Sequence, residues 1–407
     1  MAVSRDLLGA RTLSVEGRWC LHSYYSLCPY APDGSGRILI AGVDLENGQG
    51  EVMILSPDAK VLDRFGRNDV TPSFWHTGFW QSWSPDARFV YFQSGDEMNP
   101  QVIRRELSTG IEVQVSGDLE GIPPSGEPGL SCLHGLLYAA GYGHPERLYR
   151  PELATVPFQA RDKHGISSLD FKKATTSLLL STNGILEIHP DRDRLHREDH
   201  IIRERLGPDE GLTLMTYCVR WNRQGTRCLF YFGNHCVDKR RGEPKITYVF
   251  TADRNLQDIH LALDLSFGRP GVHWAWQPDG ERLIGYGPRL DVPGKIALAE
   301  VRYDGTGYRI LSDHASGGHP TVSPVNDDLI VTDEGTPEGG AVLFISRQSG
   351  KEITRVALPK FVGERELPGR NANRICHHPV FSQDGSRVLC NSLPGRFAQL
   401  FEMEPPQ

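Results

Sequence analysis

The chain has 407 residues, a net charge of −7, and 39% hydrophobic and 23% charged residues. That balance describes a globular protein and argues against nucleic acid as a partner, because binding phosphates needs a basic face. The length exceeds the roughly 250–300 residues that one ordinary core supports. Its 43 glycines and 28 prolines are spread throughout, with no linker-like stretch, which favours one repeat domain over 1–407.

In chain order, the first ten residues lack the apolar core and cleavage site of a secretory signal. No later stretch approaches the ~18 apolar residues of a membrane span. A turn signal followed by a β-rich run then returns at intervals of about fifty residues. It begins at Tyr30, Trp83, Trp221, Trp276, Val322 and Phe381. Each copy has an aromatic or apolar residue closing one strand, a Pro-Asp-Gly-type turn, and a second strand such as Phe89-Val-Tyr-Phe or Arg387-Val-Leu-Cys. This pattern predicts an all-β chain, a β-propeller of four-stranded antiparallel blades.

Between residues 83 and 221 the signal is missing, and the strand-like runs there begin at Gly135 and Thr176. Read as strands of one blade they give seven blades; read as two blades they give eight. An irregular, charged insertion around 186–210 follows, the one place where helix is expected. The eight cysteines form no CxxC and lie mostly in apolar runs, the pattern of reduced residues in a cytoplasmic protein.

Three histidine phrases stand just upstream of turns: His273 five residues before Pro278, His319 five before Pro324, and His378 six before Asp384. In a propeller the strand before the turn is the innermost, so this offset carries all three toward the axis. Neutral imidazoles there suit a divalent metal or general-base catalysis. His22 and His76 hold comparable inner positions in blades one and two, with Tyr24, Tyr25, Trp75 and Trp80 nearby. With Arg220 and His235 they are the candidate substrate-binding residues. Lys239, Arg240 and Arg241 with Lys245 form a local basic patch in an otherwise acidic chain. Asp333-Glu334 reads as a turn, and no Gly-x-Ser-x-Gly elbow is present.

At His22-Ser-Tyr-Tyr, His273-Trp-Ala-Trp-Gln-Pro-Asp-Gly, His319 and His378-Pro-Val-Phe, the chain resembles the oligogalacturonate lyases, a polysaccharide-lyase family of seven-bladed propellers. The resemblance runs in blade order over nearly the whole length. It implies a lyase that cleaves uronate-containing oligosaccharides by β-elimination, with an acidic oligosaccharide as substrate and manganese as the divalent metal. Carried over, His273 is the base, and His319 and His378 are metal ligands. The family's second closely spaced metal histidine falls on Cys376, with His377 beside it, and its glutamine ligand falls near Asn373. Its carboxylate-binding arginine falls near Lys245, a cation without the bidentate fork. The alternative reading is a noncatalytic propeller that binds a glycan or a protein.

Overall fold

The computed structural model describes residues 10–44, 47–69, 77–95, 99–132, 161–234, 241–266, 273–336, 339–359 and 375–407. They form a seven-bladed β-propeller of antiparallel blades. The turn signals account for the register. Inner strands end on the residues that open the turns, at Ser82–Trp83, Met215–Trp221, Ala275–Trp276, Thr321–Val322 and Val380–Phe381. Within the turn, the Gly385 N–H donates to the Ser382 carbonyl and the Ser382 N–H to that of Arg387, and Ser84 and Gln277 donate likewise across their own turns. The turn's last position takes a left-handed φ, 73° at Gly280 and 69° at Gly385, which glycine adopts without strain.

The ring is closed by exchange of ends. Strand Arg11–Leu13 pairs with Gln399–Met403 as the outermost strand of blade seven, so the first and last residues of the propeller share one sheet. Blade three differs from the rest. Its described sheet has three strands, Gly129–Ser131, Gly165–Asp170 and Thr175–Ser181, so Thr176 belongs to its third strand, and the run at Gly135 lies outside the described residues.

Two helices follow, α1 (Thr182–Ile188) and α2 (Arg192–Leu206). The Ser181 hydroxyl caps α1 by accepting from the Gly184 N–H. Helix α2 buries Leu195, Asp199 and Ile202 on one face, a spacing of four and three that makes a single stripe. Asp199 is tolerated there because Arg161, Arg203 and the Leu212 N–H all donate to it. No helix among the described residues is long and apolar enough to cross a membrane, and no disulfide joins the described cysteines.

Candidate functional site

The axis is built by irregularities in the inner strands. In blades two, four and seven a bulge places two residues opposite one, and its first residue, Trp80, Cys218 or His378, has a positive φ of 53°, 57° or 47°. Each stands three residues before the aromatic that closes its strand. A bulge bends a strand and re-aims a side chain, and a non-glycine residue in this region is strained. At His378 the strained position carries an imidazole.

Blade one departs further. Leu21 pairs with Ala41 and Tyr30 with Ile38, so His22 to Pro29 stand opposite only Leu39 and Ile40. The surplus loops into the channel and carries Tyr24 and Tyr25 to the axis, where they are 3% and 1% exposed.

The three histidine phrases meet on these tyrosines. The ring centroids of His273 and His319 are 4.1 Å apart, and those of His319 and His378 4.3 Å. Tyr24 lies 4.7 Å from His378, and Tyr25 lies 5.0 Å from His319. His22 is fully buried, its ring 6.4 Å from that of His378. Burial lowers the pKa of both His22 and His273 to about 4, so both are neutral near pH 7. Burial likewise raises the phenols of Tyr24 and Tyr25 well above their usual range.

Hydrogen bonds favour one tautomer in each of two rings. The Nδ1 of His273 is 2.9 Å from the Gly317 carbonyl, which can only accept, so Nδ1 carries the proton and Nε2 the lone pair. The Nδ1 of His319 is 2.9 Å from Oδ1 of Asp333, and the same logic applies. Asp333 is the acidic residue that the sequence places in a turn. It sits in strand Leu329–Thr336 rather than in a turn, buried beneath the histidines.

Behind the tyrosines lies a second buried pair. Arg220 Nε donates to Glu120 at 2.6 Å, with the two side chains 2% and 0% exposed. Its Nη1 also donates to the Trp274 carbonyl at 2.6 Å, and its guanidinium lies 5.0 Å from the Tyr24 ring centroid. Burial works against the charge on Arg220, but Glu120 and the tyrosines outweigh it and hold the guanidinium protonated. Burial raises the Glu120 pKa against the pull of Arg220. Arg220 is thus a neutralised girder between blades. A cavity of about 560 Å³ opens at the turn end of the channel, among Pro32, Pro85, Pro278 and Pro324, and reaches Tyr25 and Arg220. None of the histidines lines it, so the tyrosines and Arg220 stand between this cavity and the imidazoles.

The other candidates are dispersed. His377 turns away from the axis. Its Nδ1 meets the Asn391 carbonyl at 2.9 Å, and its Nε2 lies over Gly340, where a Cβ would stand 1.9 Å from it. Cys376 is half-buried, and its carbonyl accepts from Asn391. Lys245 is exposed just before strand Thr247–Asp253, two strands outward from the inner strand that carries Arg220. Arg241 of the basic patch is committed to Glu243 at 2.7 Å and Glu210 at 2.8 Å. His76, His235, Asn373, Trp75, Lys239 and Arg240 lie outside the described residues.

A divalent metal needs several donors converging on one point. The Asp333–His319 contact is the kind of carboxylate–imidazole support that metal-bound histidines use. Yet among the described residues no three His, Cys, Asp or Glu side chains converge to hold one ion, and His377 faces the wrong way. As arranged, these residues do not fit a metal centre.

No family model matches the sequence, and no curated protein matches it. The fold is similar to that of an oligogalacturonate lyase in complex with manganese, at 14% identity and a TM-score of 0.63, over 100% of this chain and 96% of that one. It is also similar to an oligogalacturonate lyase from Vibrio parahaemolyticus, at 13% identity and a TM-score of 0.59, over 98% of each chain. At these identities the likeness shows a shared propeller, and activity has to be argued from the site.

Proposed function

We propose that the protein is a carbon–oxygen lyase that cleaves uronate-containing oligosaccharides by β-elimination, with His273 as the base. The observation that carries this reading is the 2.9 Å contact from His273 Nδ1 to the Gly317 carbonyl. It leaves a neutral imidazole whose Nε2 accepts a proton, on the one axial histidine among the described residues that is partly exposed. The shared fold with two solved oligogalacturonate lyases supports the substrate class.

In the proposed step Nε2 takes the C5 proton of the uronate, and the C–H electron pair becomes the C4–C5 double bond. The C4–O bond breaks, and the leaving oxygen takes a proton from solvent. A base with a pKa of about 4 is weak at rest, but an arriving uronate carboxylate favours the protonated imidazole and raises its basicity. Lys245, where the resemblance puts the family's carboxylate-binding arginine, is the proposed counter-charge for that carboxylate. Tyr24, Tyr25 and His22 form the wall that holds the imidazoles in place.

The test is a rise in ultraviolet absorbance from the unsaturated uronate when the protein meets a panel of uronate oligosaccharides, with and without added Mn²⁺. A rise with any member supports the reading. No rise with any member, in either condition, overturns it in favour of a noncatalytic propeller, a reading supported by the burial of His22, His319 and His378.

A further inference from the structure

Asp333 enters the axis from the second strand of blade six and is 4% exposed. Its Oδ1 accepts the His319 backbone N–H at 2.7 Å and the His319 Nδ1–H at 2.9 Å. Its Oδ2 is 3.1 Å from the same Nδ1 and 3.4 Å from the backbone nitrogen of His378. One carboxylate therefore ties the imidazole of blade six to the strained bulge of blade seven.

The phrase Gly317-Gly318-His319 makes this approach possible. A Cβ on Gly318 would stand 1.9 Å from the Asp333 carbonyl oxygen and 2.6 Å from Oδ1. Only glycine lets the carboxylate reach the backbone at that point. The neighbouring Gly317 carbonyl holds the His273 Nδ1–H. Two adjacent imidazoles thus receive the same tautomer, His273 from the Gly317 carbonyl and His319 from the Asp333 carboxylate.

We propose that Asp333 is a positioning residue that sets the tautomer of His319, so that its Nε2 serves as a second proton acceptor on the ring next to His273. A carboxylate has no proton to give here, so it selects the Nδ1–H form and leaves the lone pair on Nε2. The consequence for catalysis rests on the lyase reading above; the tautomer does not.

The experiment is nitrogen-15 NMR of labelled histidines in the full-length protein, on the wild type, Asp333→Asn and Asp333→Ala, with His319→Gln used to assign the His319 signals. The wild type is expected to show His319 protonated on Nδ1. Asp333→Asn retains an oxygen acceptor and keeps that form, whereas Asp333→Ala shifts the proton toward Nε2. A wild-type spectrum with the His319 proton on Nε2 overturns the proposal without any variant. So does an Asp333→Ala spectrum identical to the wild type.

On a uronate that the wild type cleaves, Asp333→Ala is expected to lower kcat by about 100-fold with KM changed far less, and Asp333→Asn to recover part of the loss. An unchanged kcat in Asp333→Ala also overturns the proposal. If the wild type cleaves no uronate, the lyase reading fails and the NMR comparison alone decides the role of Asp333.

Discussion

Replacing Arg220 by leucine is expected to destabilise the protein by about 3–5 kcal/mol, the cost of breaking a buried ion pair. The geometry supports the upper part of that range. Arg220 and Glu120 are 2% and 0% exposed and 2.6 Å apart, so removing the cation strands a carboxylate whose remaining donor is the Ser26 hydroxyl. The Trp274 carbonyl and the Tyr25 and Tyr231 hydroxyls lose the donor they share, each contact worth about 1 kcal/mol.

Urea unfolding read by tryptophan fluorescence measures the change. The double replacement Glu120→Leu with Arg220→Leu removes both charges and is expected to recover at least about 2 kcal/mol of the loss. Because an unpaired Glu120 protonates more readily, the Arg220→Leu deficit should shrink as pH falls. An Arg220→Leu protein within about 1 kcal/mol of the wild type would refute the claim that this pair is a buried girder.

Acid sensitivity follows from the neutral histidines. With folded pKa values of about 4 for His22 and His273 against about 6.5 when unfolded, the unfolded chain binds protons that the native state refuses. Stability is therefore full above pH 6.5 and falls as pH drops toward 4, by about 3 kcal/mol per histidine. A urea midpoint that stays flat across that window contradicts the assignment, and His22→Gln should remove its own share of the slope. Gly340→Ala places a methyl 1.9 Å from His377 Nε2, and a loss of about 1–3 kcal/mol in urea unfolding is expected; a neutral substitution would mean that His377 is not packed there. Lys245→Ala is expected to raise KM for a cleaved uronate with little effect on urea stability, since the side chain is exposed. An unchanged KM would remove Lys245 from the site.

The propeller was legible because its signal is local and repeated: the residues that open the turns are the ones on which the inner strands end. Blade three was obscure because it lacks that turn and ends in the α1–α2 pair. The offset that aligned His273, His319 and His378 is also local, and the structure brings these three rings together. What escaped the sequence depends on distant partners. Glu120 and Arg220 are 100 residues apart, and Tyr25 and Arg220 are 195 apart, so no spacing rule links them. His377 and His378 look equivalent in sequence, yet His378 takes the bulge, with a φ of 47°, which re-aims its side chain to the axis, while His377 turns to the Asn391 carbonyl. The loop at His22 to Pro29 had one visible trace. Its turn follows His22 by ten residues, whereas the turns after His273 and His319 follow by five.

The most direct test of the central claim is the uronate cleavage assay on the wild type and His273→Ala, with urea midpoints taken on both. The account predicts unsaturated product from the wild type and a loss of about 10²- to 10⁴-fold in His273→Ala with the fold retained. A folded His273→Ala protein that cleaves at the wild-type rate would contradict it.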